Sequence, residues 1–272
     1  MNLFKNTVKI ILLFGIVIFI YSYSRKDKLP DKEEILPELY QEPIQTGTEK
    51  SPFEVEKGGI IYNITPLFNY ELYGLVVSEH DSKSWFDYYH EALKDFINLK
   101  DVCVVWGDNI ETEVYQELKF NNGSFTCYID SKSDTDNATV FQKFKNSALS
   151  NNHLLSENDI INQQIIRAEK GDQIYLKGYL VQYSRQNGFK RGSSVSRTDT
   201  QDGACETIYI TDFEIIKEAN IGWRLTYTYV KYLIIVSIII LSILLLNGSD
   251  FTRRSKREDV DRTKFFYKDP YE

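Results

Sequence analysis

Residues 173–183 read QIYLKGYLVQY and residues 206–216 read ETIYITDFEII. Both runs are rich in β-branched and aromatic residues and are bounded by Gly and Asp, which makes them long strands. Gly178 interrupts the first run in its middle, where a glycine marks a sharp bend or a close backbone approach. Shorter runs of the same character precede them: 72–78 (LYGLVVS), 102–106 (VCVVW) and 124–129 (SFTCYI). Two stretches have helical spacing instead. In residues 84–97, Trp85, Tyr88, Tyr89, Ala92, Leu93 and Phe96 fall on one face, and Ser84 can cap the start. In residues 157–168, Ser156 caps and Ile160, Ile161, Ile165 and Ile166 face inward, before Lys170-Gly171-Asp172 turns the chain into the long strand. The fold class expected is α+β: a small, strand-rich, curved and partly closed barrel-like domain with two short helices. The oligonucleotide/oligosaccharide-binding type is one form it can take.

Outward from this domain, both ends of the chain are apolar. Residues 4–23 read FKNTVKIILLFGIVIFIYSY, uncharged from Ile10 to Tyr23, and Lys5 and Lys9 can snorkel. No small-x-small cleavage site follows at Tyr23-Ser24-Arg25-Lys26, so this run reads as an anchor that is retained. Residues 232–246 read YLIIVSIIILSILLL, with Trp223, Tyr227, Tyr229 and Tyr232 crowding the upstream edge like an interfacial aromatic belt. Neither run carries an acidic residue that would suggest an ion or proton path. The Arg253-Arg254-Ser255-Lys256-Arg257 cluster beyond the second run places the C-terminus in the cytoplasm by the positive-inside rule. Two spans then place the N-terminus there too and the middle domain outside it, in an inner or plasma membrane.

The domain layout expected is an anchor at 1–24, a disordered stalk at 25–58, a soluble α+β domain at 59–218, an aromatic junction and second span at 219–247, and a basic tail at 248–272. The stalk assignment follows from four of the six prolines and many Glu and Lys with little apolar periodicity. The net charge of −7 argues against a duplex nucleic-acid partner, which needs a basic face. With 19 Tyr and 16 Phe the chain can build a core, which excludes a disordered acidic chain.

Three cysteines are too few for a disulfide scaffold. Cys103 and Cys127 fall in strands that could be neighbours, and in an oxidising compartment they could pair; the alternative is two small buried apolar side chains. Cys205 stands at the mouth of a strand beside Glu206. With His153 brought close it would form a Cys/His nucleophilic pair, although no known cysteine-hydrolase signature surrounds it. The 184–196 loop and its continuation hold Arg185, Lys190, Arg191, Arg197 and Asp199 among glycines. This basic patch on an acidic domain suits a small anion or an anionic lipid headgroup. His80, His90 and His153, even with Asp81 or Cys103, match no standard zinc spacing, so no metal is expected. No Walker loop, dinucleotide glycine fingerprint or Gly-x-Ser-x-Gly elbow occurs, and no cofactor is expected.

The order span, β-rich domain, span resembles the layout of the membrane-anchored GIDE/BAM proteins. Those carry a cytoplasmic RING after the second span. Residues 247–272 here contain no Cys or His, so the resemblance does not imply ubiquitin-ligase activity. Asn151-Asn152-His153-Leu154, Gly171-Asp172-Gln173-Ile174 and Gly203-Ala204-Cys205-Glu206-Thr207-Ile208-Tyr209 resemble segments of uncharacterised bacterial membrane proteins, which implies no activity. The function expected first is non-enzymatic: a two-pass membrane protein whose domain binds a partner, a ligand or a second copy of itself in assembly or sensing. The alternatives are an effector gated by a small anion at the Arg185–Arg197 loop, and a membrane-tethered hydrolase or transferase using Cys205 and His153.

Overall fold

A computed structural model describes residues 2–82, 95–123, 126–133, 137–186, 188–196 and 205–266. The chain divides into two compact units, residues 27–219 and the two ends together.

The terminal unit is a pair of helices, α1 (Asn2–Lys26) and a final helix (Ile221–Phe266). Their apolar stretches, Leu3–Lys26 and Ile221–Leu246, are 24 and 26 residues long. At about 1.5 Å per residue each exceeds the ~30 Å of a hydrocarbon core. The final helix continues without a break through most of the segment expected as a tail. Gly15 lies against Ile234, Phe19 stacks on Tyr227 at 4.8 Å and Tyr21 meets Trp223 edge-on at 5.2 Å. These pairs run in opposite directions along the two helices, so the helices are antiparallel. A Cβ at Gly15 would come within 3.3 Å of Ile234, and its absence lets the backbones approach. Ser22 and Ser237, buried between apolar neighbours, satisfy their hydroxyls on the carbonyls of Phe19 and Leu233 in their own helices. Lys26 lies over both Tyr23 and Tyr227, placing a cation and aromatic rings at one end of the pair.

The other unit is built on strands β1 (Ile44–Gly47), β2 (Phe53–Lys57), β3 (Ile60–Asp81), β4 (Asn98–Val105), β5 (Leu118–Asn122), β6 (Cys127–Ser131), β7 (Leu149–Leu155), β8 (Gln173–Arg185), β9 (Lys190–Arg191) and β10 (Glu206–Lys217). Short helices α2 (Asp108–Glu111), α3 (Asn137–Lys143) and α4 (Asp159–Arg167) lie between them, and the final helix is α5. Eight strands form one mixed sheet; β5 and β6 make a separate two-stranded one. β3 pairs with β4, β4 with β7, β7 with β10, β10 with β8, and β8 again with β3, so the hydrogen-bonded path returns to its start. Among the described strands, β7 and β10 run parallel and the other pairs are antiparallel.

Local sequence explains how the strands bend. Pro66 cannot donate to the ladder, and the β3–β8 register slips between Pro66 and Phe68. At Gly178 an added Cβ would fall 2.0 Å from the carbonyl oxygen of Tyr209, so only glycine allows β8 and β10 to approach there. Inside the ring, Leu72, Val76, Val102, Val104, Trp106, Leu154, Ile174, Leu176, Leu180, Ile208 and Ile210 pack into one core.

Helix α4 contributes Ile161 and Ile165 to that core, and Ala168 just past its end joins them. Asn158, rather than Ser156, caps its start, accepting from the amides of Ile160 and Ile161. Ile160 is exposed and Ile166 half-exposed, so two of the four isoleucines expected inward face out. Capping at residue 158 starts the helix later than expected and presents only part of the apolar run to the core. The other expected helix, at 84–97, lies for the most part outside the described residues.

Residues 27–58, expected as a stalk, form part of the folded unit. Leu29, Ile35 and Leu39 are buried with Val77, Ile110, Val114 and Tyr115 in a second core on the outer side of the sheet. The Pro30 carbonyl accepts from Tyr115 Oη at 2.9 Å and from Gln116 Nε2 at 2.6 Å. Gln173 ties this segment down from the other side, donating to the Glu34 carbonyl and accepting from the Leu36 amide. Strands β1 and β2 then pair along β3. Burial of Tyr115 pushes its hydroxyl pKa up to about 12. Leu39→Ala is expected to cost about 3 kcal/mol of unfolding free energy, as for other fully buried leucines. A stalk leucine would cost nothing, and denaturant melting of the detergent-solubilised protein separates the two.

Candidate functional site

On the outer face of the ring, four polar side chains converge where β4, β7 and the start of β10 lie side by side. Alternation along β4 puts Val102 and Val104 in the inner core and Cys103 and Val105 in the outer one, with Asp101 on the outer face by the same period; Leu99 joins the inner core at the strand's start, where the register with β7 shifts between Asn98 and Lys100. On β7, Leu154 is inner, so His153 and Asn151 point outward. Register brings Asp101 opposite His153 and Cys103 opposite Asn151. β10 joins in parallel, with Thr207 beside His153, which sets Cys205 next to Asn151.

The result is a chain of contacts. His153 Nδ1 lies 2.5 Å from Asp101 Oδ1, and both side chains are fully buried. Asn98 donates to the same carboxylate oxygen at 3.1 Å. Asp101 Oδ2 is buried and has no hydrogen-bond partner among the described residues. At its other nitrogen, Nε2, His153 faces Arg191 Nη2 at 3.0 Å. The ring also hydrogen-bonds Cys205. Asn151 Nδ2 donates to Cys205 Sγ at 3.6 Å. Cys205 is a partly exposed residue, so this row of buried groups reaches toward the surface at its end.

The electrostatics follow from the geometry. Burial pulls the His153 pKa down, but the Asp101 charge and hydrogen bond outweigh it and raise the ring to about 9; Cys205 adds to the rise and Arg191 opposes it. For Cys205, burial pushes the thiol up. The hydrogen bond and charge of His153, then Asn151 and Arg191, overcome this and hold it below its ordinary 9.0. A thiol lowered by an imidazole that is itself oriented by a carboxylate has the order of groups that nucleophilic cysteine chemistry needs.

The structure places the other sequence candidates differently. Glu206 shares the inward side of β10 with Ile208 and Ile210, across the sheet from the sulfur. Arg185 lies over the Phe189 ring at 5.1 Å, and Lys190 pairs through its backbone with Ser184. Arg191 turns into the cluster. Arg197 and Asp199 lie outside the described residues. Cys103 and Cys127 are joined by a disulfide. The bond links β4 to the β5–β6 hairpin, so the two cysteines belong to different sheets and are not cross-strand neighbours. Ser78 and Asn122 span the gap between this bond and the site: Ser78 Oγ contacts Cys127 Sγ and donates to Asn122, which donates to Asn151 at 2.8 Å. Among the described residues no group of His, Cys, Asp and Glu has the arrangement to hold a metal ion.

Asp101 is the group that sequence reasoning missed. Its signal was an aspartate inside the apolar run Val102-Cys103-Val104-Val105 and its upstream Leu99, where a carboxylate has to find a partner or be excluded.

Fold and cluster together define a mixed-sheet α+β unit with a Cys–His–Asp row, in a chain that also has two helices able to cross a membrane. No family model, no curated protein and no solved structure matches the chain.

Proposed function

We propose that this chain is a two-pass membrane protein whose folded unit is a membrane-tethered cysteine hydrolase or acyltransferase. The observation that carries the reading is the Cys205–His153–Asp101 row, with Cys205 partly exposed and its thiol pKa lowered. Cys205 is the nucleophile. His153 Nε2 takes its proton, and the thiolate attacks the carbonyl carbon of an ester, thioester or amide. The new C–S bond forms as the leaving group departs with the proton from Nε2; water, or an acceptor nucleophile, then cleaves the acyl-enzyme and restores the thiol. Asp101 keeps Nδ1 protonated and the ring aimed at the sulfur.

Two further inferences place this chemistry. The five-strand ring, with α4 between its third and fourth strands in chain order, fits an OB-type barrel, and the segment carrying Arg191 and Cys205 is then the loop joining its fourth and fifth strands. OB folds commonly use that loop for binding, an analogy of position and not of ligand. The disulfide argues for an oxidising compartment, and the basic cluster at 253–257 for a cytoplasmic C-terminus. Antiparallel helices put the two ends of the chain on one side, so the folded unit faces the extracytoplasmic side of an inner or plasma membrane.

The test is direct acylation. Full-length protein incubated with p-nitrophenyl acetate should gain one acetyl group by intact mass, mapped to Cys205 and absent in Cys205→Ala. Acetylation confined to lysines, or equal in Cys205→Ala, would sink the reading and return the unit to a binding role.

A further inference from the structure

The hydrogen bonds around His153 do not add up in a single state. Nε2 has one position for either a proton or a lone pair, and Arg191 Nη2 addresses it at 3.0 Å. Nδ1 is engaged by Asp101, so Nε2 is also the nitrogen left to serve Cys205, which the ring hydrogen-bonds. An arginine only donates, so the Arg191 contact requires an unprotonated Nε2 with the hydrogen on Nδ1, directed to Asp101. In that state the nitrogen that must accept the thiol proton is already occupied. A protonated Nε2 cannot accept from Arg191, so the Asp101 charge that raises the ring's pKa and the Arg191 contact that needs a neutral ring oppose each other, and the charged ring belongs to a state in which the guanidinium has turned away. Arg191 has somewhere to go: it is partly exposed, it sits on the two-residue strand β9, and it also hydrogen-bonds the Tyr183 hydroxyl, which donates to Asp95 at 2.6 Å.

We propose that Arg191 is a gate on Cys205, opened by a substrate that carries an oxyanion group: a carboxylate or phosphate binds the guanidinium fork, draws it off His153 Nε2 and frees that nitrogen to take the thiol proton. The inference rests on the acyl-transfer reading and adds the substrate class, acyl donors with an anionic group close to the scissile carbonyl. A planar fork suits this role because it grips an oxyanion through two parallel hydrogen bonds, which a single contact to an imidazole nitrogen cannot match. Among the described residues, Asp101 on β4 faces Nδ1, Asp95 accepts from Tyr183, and Arg191 is a cation placed to exchange partners.

The experiment reads alkylation of Cys205 by iodoacetamide, a neutral reagent, so it does not depend on any acyl substrate. Full-length protein in detergent is titrated with inorganic phosphate against chloride at constant ionic strength. Phosphate should accelerate wild-type alkylation, on the order of tenfold if the open state is about a tenth of the resting population. Arg191→Ala should alkylate at the faster rate without phosphate and show no further response. Arg191→Lys, which keeps the charge and loses the fork, should respond weakly, and it stands in if the alanine variant fails to melt cooperatively. A wild-type rate indifferent to phosphate overturns the gate, as does acceleration that persists in Arg191→Ala. An Arg191→Ala rate slower than wild type and insensitive to phosphate also overturns it, because Arg191 would then be a plain counter-charge to the thiolate. Failure of acetylation with a phosphate-responsive thiol would instead remove the acyl-transfer reading and leave an anion-responsive thiol.

Discussion

Replacing His153 by Gln slows alkylation of Cys205 at pH 7 by about tenfold or more, because the thiolate loses the group that stabilises it most. The sign follows from the causes. Burial pushes the thiol up and His153 is the first of the influences pulling it down, so without the imidazole the burial stands opposed only by Asn151 and Arg191. The wild-type rate therefore rises with pH from below 9.0, and the variant's profile moves to higher pH; the two converge only where both thiols are ionised. Asp101→Asn moves the profile the same way by a smaller step, since Nδ1 keeps a partner while the ring loses the charge that favours its protonated form. His153 and Cys205 exchange one proton, so the profile reports the pair and not either residue alone. A rate–pH profile unchanged in both variants would mean that the row is a buried structural contact. A buried ion pair broken on one side also destabilises, by about 3–5 kcal/mol, so the profiles are taken well below the melting temperature of each variant.

Removal of the Cys103–Cys127 bond, as the double alanine variant, is expected to lower stability by about 3–4 kcal/mol, the chain-entropy value for closing a loop with a sequence separation of 24. For a unit of this size that corresponds to a fall of about 10 °C in Tm. The loss concentrates in β5–β6, a two-stranded sheet of a kind that is marginal by itself and is fastened to the ring by this bond and by the Asn122 contacts. Because Asn122 holds Asn151, and Asn151 holds Cys205, freeing the hairpin also loosens the thiol. Trp106 fluorescence on heating, compared with and without a mild reductant, gives the measurement. Equal melting of wild type and variant would show that the hairpin is held without the bond.

What the sequence revealed follows the strength of side-chain pattern. β8 and β10 are legible because their residues alternate or run apolar, and Gly178 in the middle of β8 marks the place where the two strands come together. β7 is hidden because its Ser150-Asn151-Asn152-His153 is polar yet buried, held by hydrogen bonds that exist only after folding, such as Asn152 to the Val102 carbonyl at 3.1 Å. The 27–58 segment is hidden for a related reason. Its prolines and charges give no apolar period, and its buried apolar residues, Leu29, Ile35, Leu39 and Val55, enter the cores singly through short turns and backbone pairing. For the site, Cys205 and His153 are visible as residue types. Asp101 and Arg191 become meaningful only through register: one lies opposite His153 across a strand pair, and the other is delivered by a two-residue strand.

The closure of the ring also sets the order in which the chain can fold. β3 has to wait for β8, its partner far along the sequence, and the parallel β7–β10 pair forms only after β8 and its connection have been made. Contacts this distant carry a large loop-closure cost before they yield anything, so assembly is expected to be slow and to depend on the last strands delivered. Until residues 173–217 emerge, β3 and β7 each present an unpaired edge, and the nascent chain is then most open to wrong pairing with its neighbours. Truncation anywhere upstream of β10 would therefore leave the ring open, with edges exposed and no nucleophile.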